Sequence, residues 1–442
     1  MTKTMIAASQ PVGSDSTESR DHLRWIVLGV IFCATTINYM DRFIVGVLKP
    51  TIVADLHWSE TDYANVIVCF QLAYAIGLVT IGPLLDRIGA RRGMMVVVGM
   101  CALAAASHSL VATVIGFGIA RFALGFGESG TWPGCVKVIS EWFPRKERSI
   151  GTGVMNAGSS VGATITPLVV PVLLQFVRWP LVFLCTASLD VAWLIGWALW
   201  YRAPEHHPNL SPTEFAYIRS DPILPQPKLP WLQLFRHRQT WAFLLGKGLS
   251  DPIWWFYLFW VPGFLVSQYH LVGNSAMDSA KALAVPVMVI YLMADVGSVG
   301  GGWLSTRLIG RGWSINAARK TVMLGCVVCV LPVVFVNFRI GLWPSVFLIG
   351  LAAAAHLGFS ANLFTIATDT VPKRAVSSVA GIGGLAAAVG GMVIAKIVGF
   401  VLDTTHSYLV PFLLAALAYP VALACVHLLL PKLEPMKLEE PT

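Results

Sequence analysis

The chain has 442 residues, of which 56% are apolar and only 12% charged, with a mean hydropathy of +0.70 and a formal net charge of +8. A soluble protein carries about a quarter of its residues as Asp, Glu, Lys or Arg, so this composition excludes an ordinary water-exposed fold and implies a chain whose solvent is mostly lipid. The positive charge is spread over alternate loops rather than gathered on one face, which leaves no surface for nucleic acid.

Residues 1–22 are polar, rich in Ser and Thr, and lack the apolar core of a signal peptide; they read as a disordered cytoplasmic tail. Twelve apolar stretches follow, each near the roughly 20 residues that a helix needs to cross about 30 Å of hydrocarbon. They are predicted at 23–50, 60–84, 93–112, 114–140, 149–176, 180–201, 239–268, 281–306, 320–338, 343–369, 376–402 and 407–430. An ionisable side chain inside such a span costs about 2.5–3.5 kcal/mol even on the lenient insertion scale, so each one asks for a reason.

Span 1 holds Asn38, Tyr39, Met40, Asp41 and Arg42 in succession, and span 2 holds Tyr74. The loop after span 2 carries Gly82, Asp86, Arg87, Gly89, Arg91 and Arg92. Span 4 holds Arg121 and Glu128, two turns apart on one helix face. At 1.5 Å per residue, Asp41 lies roughly 25 Å from the inner end of span 1 and Arg121 roughly 10 Å from the outer end of span 4. The two depths nearly coincide, so Asp41 and Arg121 can pair if spans 1 and 4 adjoin. An arginine fork binds a carboxylate through two parallel hydrogen bonds. A carboxylic acid in low dielectric can exchange its proton in the working pH range. Together they suit proton-coupled movement of an organic anion. Buried structural salt bridges are the plainer alternative, although apolar residues would stabilise a core better.

Span 5 offers Asn156, Ser159 and Ser160, and span 6 an Asp190 with no evident role. Residues 202–238 then form a polar cytoplasmic linker with Pro204, Pro208, Pro212, Pro222, Pro225, Pro227 and Pro230. It separates a six-helix half at 23–201 from a second at 239–430, with 431–442 as a cytoplasmic tail. Span 7 carries Lys247, Asp251, Pro252, Trp254, Trp255, Tyr257, Trp260 and Pro262. Its prolines permit a gating bend, its aromatic faces can stack on a sugar ring, and Lys247 and Asp251, four apart, can neutralise each other. Trp254 and Trp255 point about 100° apart, so only one can stack on the ring, and Trp255 is favoured. Asp295 in span 8 reads as a packing or gate partner of the Arg307 region. His356, Asn362 and Thr365 in span 10 suit either helix packing or sugar hydroxyls.

The halves echo each other. Gly302, Thr306, Arg307, Gly310 and Arg311 repeat the loop after span 2, and Pro372, Lys373 and Arg374 repeat Pro144, Arg145 and Lys146. Such duplication places a binding site near the midplane where the halves meet. The basic loops alternate with loops that carry little beyond Lys49, Arg178, Lys281 and Arg339, which puts both termini in the cytoplasm. All eight cysteines fall within spans, and Cys326 and Cys329 have no His or acidic companion, so no metal site is expected.

The Gly82–Arg92 loop after the second helix of a twelve-helix chain resembles the signature of the major facilitator superfamily. The resemblance covers essentially the whole ordered chain and implies an all-α membrane fold of two six-helix bundles. It also implies that Asp86, Arg87 and Arg91 take part in a cytoplasmic latch that breaks on opening. The Asn-Tyr-x-Asp-Arg run in span 1, with Arg-x6-Glu in span 4, resembles the anion:cation symporter family within it. That likeness makes Asp41 and Glu128 the proton-handling acids, with Arg121 coupling Asp41 to the site. It gives Arg42 the substrate carboxylate, with Tyr39 and Tyr74 beside it. Span 7 is similar to the hexuronate-carrier branch, which adds Lys247, Trp254, Trp255 and Tyr257, with Ser160, His356 and Asn362 as further candidate contacts. The segment Gly381–Gly384 departs from the family where many sugar-acid carriers have an asparagine. The expectation is a monomeric, multi-pass bacterial inner-membrane symporter of a hexuronate and protons, without cofactor or metal and with no enzymatic activity. Alternatives are a carrier of an aldonate or aldarate, or an organophosphate-type anion exchanger. The last usually opposes arginines in spans 1 and 7, whereas span 7 here offers only Lys247.

Overall fold

The computed structural model describes residues 22–144, 147–220, 231–271 and 276–436. The N-terminal tail up to residue 21, the last residues 437–442, Arg145, Lys146, the linker prolines Pro222, Pro225, Pro227 and Pro230, and the side chains of Lys281, Lys373 and Arg374 lie outside the described residues. Every regular element described is helical. The first half contains α1 (Leu23–Leu56), α2 (Glu60–Ser107), α3 (Val114–Glu128), α4 (Thr131–Trp142), α5 (Arg148–Leu173) and α6 (Trp179–Trp200). The linker forms α7 (Pro212–Ile218) and α8 (Trp231–Leu234). The second half contains α9 (Arg238–Tyr269), α10 (Ala276–Gly310), α11 (Ile315–Val330), α12 (Leu342–Thr370), α13 (Lys373–Thr405) and α14 (Leu409–Leu429).

Among the described residues, nine stretches are long and apolar enough to cross a membrane by length and composition. The twelve passes emerge once three features are read. α2 is two helices joined at Gly89, whose φ of 79° and ψ of 164° interrupt an otherwise helical run. That backbone region is open essentially to glycine alone, so Gly89 is where the chain reverses between the second and third passes. α3 and α4 together make the fourth pass, separated only by Ser129 and Gly130. α9 is 32 residues long but carries Lys247, Asp251, Pro252 and Pro262 in its interior. Helix starts follow ordinary capping chemistry: Ser59 accepts from the Asp62 amide while Asp62 accepts from the Ser59 amide, and Thr113 and Ser314 cap α3 and α11.

Within the first bundle α2 packs on α3 and α6, and α1 on α5; within the second, α10 and α11 pack on α12, and α9 on α14. The bundles meet along α2 with α13, α5 with α10, and α1 with α9. These are equivalent pairs in the two halves, which is what the internal repeat implied. The α1–α9 crossing is close because position 46 has no side chain: a Cβ on Gly46 would stand 2.6 Å from the Leu258 carbonyl oxygen. The crossing brings Arg42 of α1 beside Trp255 of α9 and so positions the site.

Candidate functional site

α1 presents Arg42 toward the centre of the molecule. Its Nε donates to Oε2 of Glu128 on α3 at 2.7 Å, its Nη2 lies 2.7 Å from the same oxygen in an ion pair, and both residues are buried. Four rings surround the guanidinium, with centroids 4.8 Å away at Tyr39, 5.0 Å at Tyr74, and 5.4 Å at Phe70 and Trp255. Rings on every side attract the cation and hold its fork in one orientation. Glu128 Oε1 is buried and has no hydrogen-bond partner among the described residues. One carboxylate oxygen therefore carries both contacts to Arg42.

Beside this cage lies a cavity of about 130 Å³ between the bundles. Asn156, Ser159 and Ser160 of α5 form its polar wall, Tyr39 belongs to α1, and Trp254, Tyr291 and Asp295 face it from the second bundle. Asp295 is within hydrogen-bonding reach of Ser160. Trp254 stacks on His356 with centroids 5.2 Å apart and planes at 11°, and Tyr291 meets its edge at 6.0 Å. His356 is held in turn by Tyr419, whose hydroxyl lies 2.8 Å from Nδ1.

This geometry corrects several expectations. Asp41 makes no ion pair with Arg121 among the described residues. Asp41 and Arg42 are adjacent, about 100° apart around α1, so with Arg42 turned to Glu128, Asp41 points to α6 and lies within hydrogen-bonding reach of Asp190 and Thr186. Arg121 is fully buried, and none of its side-chain nitrogens has a hydrogen-bond partner among the described residues. Trp254, not Trp255, lines the cavity; Trp255 covers Arg42. Tyr257 is buried away from the cavity, packed on Phe256. His356 stands behind Trp254 as its support. Asn362 ties α12 to α10 by donating to the Gly301 carbonyl at 3.1 Å. Lys247 is held by Asp251 at 2.5 Å and Ser360 at 3.3 Å, beneath the Phe364 ring. Asp295 lies in the central cavity rather than with Arg307, which sits over Trp303.

Asp86 is exposed and meets Lys137 of its own bundle at 3.2 Å. Arg87 is exposed, and Arg91 donates to the Ala198 carbonyl at 2.6 Å, in the last turn of α6. Phe70, Tyr291 and Asp295 are site residues not singled out for it in the sequence. The available signals were spacings: Phe70 precedes Tyr74 by four, and Tyr291 precedes Asp295 by four, so each pair shares a helix face.

At the far end from the chain termini a second polar cluster joins the bundles. Lys49 is buried and pairs with Glu60 at 2.7 Å, and Trp260 Nε1 donates to the same carboxylate at 3.1 Å. The Tyr63 hydroxyl donates to the Phe259 carbonyl at 3.2 Å. Asp403 of α13 accepts from the Glu60 and Thr61 amides at 2.8 Å each, capping the first turn of α2 from across the interface. A cavity of about 290 Å³ lies over this cluster, lined by Lys49, Glu60, Ser267 and Tyr408 among others.

The family model of the Major Facilitator Superfamily matches residues 31–395. The chain is 28% identical over 390 residues to the hexuronate transporter of Escherichia coli (strain K12), covering 86% of this chain and 88% of that protein. It is 30% identical over 318 residues to the galacturonate transporter of Dickeya chrysanthemi, covering 70% of this chain and 90% of that protein. It is 25% identical over 417 residues to a probable galactarate/D-glucarate transporter of Escherichia coli (strain K12), with 89% and 90% covered. Among solved structures, a bacterial homolog of the human lysosomal transporter Spinster, in an inward-facing and occupied conformation, superposes with a TM-score of 0.72 at 17% identity. That match covers 92% of this chain and 97% of the other, and it shows a shared fold.

Proposed function

The chain belongs to the Major Facilitator Superfamily and is a membrane transporter, not an enzyme, and on that premise we propose that it imports a sugar-acid anion, a hexuronate first, together with protons. The observation that carries this reading is the Arg42–Glu128 pair inside its aromatic cage. A guanidinium fixed by four rings is a receptor for one carboxylate, and Glu128 competes with a substrate carboxylate for it. When Glu128 takes a proton on Oε1, its hold on Arg42 weakens, and an incoming carboxylate can replace it. Anion and proton then load together because each removes the competition against the other.

The neighbouring cavity suits the rest of a hexuronate. Asn156, Ser159, Ser160 and Asp295 offer donors and acceptors to ring hydroxyls, and Trp254 offers a flat apolar face. At about 130 Å³ the cavity is smaller than the roughly 300–1,000 Å³ of a typical ligand pocket, so the bundles must part for substrate to enter. The Lys49–Glu60–Asp403 cluster supports a state sealed on the outer side. The alternating basic loops support cytoplasmic termini and a bacterial inner-membrane location. Lys247 is neutralised by Asp251 and does not line the cavity, so it offers no charge to a second anionic group there, which favours a monoacid over a dianion such as an aldarate or organophosphate.

The test is substrate binding to Arg42→Lys. The substitution keeps the charge but loses the planar fork, so galacturonate affinity measured by calorimetry should fall at least about tenfold, or roughly 1.4 kcal/mol. Unchanged affinity would remove Arg42 as the carboxylate receptor.

A further inference from the structure

Asp190 on α6 takes no part in the site described so far. It is 3% exposed, and its carboxyl lies within hydrogen-bonding reach of Asp41, which is 2% exposed. Neither oxygen of Asp41, nor Oδ2 of Asp190, receives a hydrogen bond from any described protein donor. Thr186 is close to Asp41, but its hydroxyl donates to the Phe183 carbonyl at 3.1 Å. An ionised carboxylate is only an acceptor. Two ionised carboxylates in contact and buried, with three of their four oxygens lacking a described donor, would repel each other. One proton between them changes both facts at once, because it supplies the missing donor and removes one of the two charges.

We propose that Asp190 shares a single proton with Asp41, so that the acid which the family likeness already marks as proton-handling works as a carboxyl pair between α1 and α6. The charged and titratable groups around it are Arg121 and Glu128 on α3 and Cys101 on α2; α1 and α6 supply the pair itself. Arg121 completes the device. Its guanidinium is buried, its nitrogens have no hydrogen-bond partner among the described residues, and its charge acts on Asp41. When the proton leaves to water, Asp41 is left as a carboxylate beside unused N–H donors and can turn from Asp190 to Arg121. Proton binding returns it. The pair thus has two arrangements, one proton-bridged between α1 and α6 and one ion-paired between α1 and α3. Only a proton is gained or lost in passing between them.

The role of this site in coupling rests on the transport reading above, whereas the shared proton does not. Two measurements separate them. Infrared difference spectra in H2O and D2O on the protein in liposomes, in a Glu128→Gln background, should show a protonated-carboxyl band that disappears in Asp190→Asn and in Asp41→Asn. Asp190→Glu, which keeps a carboxyl, should retain a band. If the band is absent in the background protein, or survives both asparagine changes, the shared proton is refuted. In the second arm, Asp190→Asn in otherwise native protein should keep substrate counterflow and lose accumulation driven by a pH gradient. Accumulation with the native pH profile would refute the coupling role. If native protein carries no sugar acid at all, the functional reading fails and the infrared arm still decides the pair. If Asp190→Asn does not fold, Asp41→Asn and Asp190→Glu decide it.

Discussion

The proposed mechanism turns on the Arg42–Glu128 ion pair, and the geometry of that pair sets what each substitution should do. Glu128→Gln cannot take up or give off a proton and cannot hold Arg42 as an ion pair. It should therefore abolish accumulation against a gradient while leaving exchange of internal for external substrate, read by counterflow in proteoliposomes. Normal accumulation would remove Glu128 from coupling. The two tryptophans separate in the same way. Trp254→Ala removes a cavity wall and should weaken hexuronate binding at least about tenfold. Trp255→Ala removes one of the four rings of the Arg42 cage and should cost less, about 0.5–1 kcal/mol, or roughly two- to fivefold. The reverse order, measured by calorimetry, would place the sugar on Trp255. These identities were partly legible in the sequence. Buried Asp41, Arg42, Arg121 and Glu128 announced themselves by their cost in a lipid-facing chain. Their pairing did not, because depth along a helix can be counted from sequence while rotation about its axis cannot. Arg42 rather than Asp41 faces α3, and that rotation leaves Asp41 with Asp190, a residue with no role legible in the sequence.

Elements were easier to read than side-chain partners. Each pass is set by the length of an apolar run, and the sharp reversal inside α2 has its glycine at Gly89. The short break between α3 and α4 was not legible, since Ser129 and Gly130 differ little from residues inside a helix. The cap that Asp403 places on α2 was also hidden, because it joins residues more than 340 positions apart. A carboxylate on the first amides of a helix contributes about 0.3–1 kcal/mol when exposed and up to about 2 kcal/mol when partly buried. Asp403→Asn should therefore open the outer face more often. A cysteine introduced at Ser267, on the wall of the outer cavity, should then react faster with a membrane-impermeant thiol reagent than in the unmutated background. An unchanged labelling rate would mean that Asp403 does not hold the outer face shut.

At the scale of the whole molecule, the two bundles meet along equivalent helix pairs, α2 with α13 and α5 with α10, with α1 and α9 crossing between them. A symmetric seam of this kind can open at either end about a fixed centre, and the centre is where Arg42, Glu128 and the small cavity lie. The polar contacts of Lys49, Glu60, Tyr63 and Asp403 gather at one end of that seam, and in the proposed cycle breaking them would exchange one access for the other without remaking the site. The central claim is that this movement carries a sugar acid and protons together. Uptake of radiolabelled galacturonate and glucuronate into proteoliposomes, with and without an inward pH gradient, tests it most directly. The account predicts accumulation above the external concentration that collapses when a protonophore removes the gradient, and no competition from neutral galactose. Equal uptake with and without the gradient, or competition by galactose at similar concentration, would contradict it.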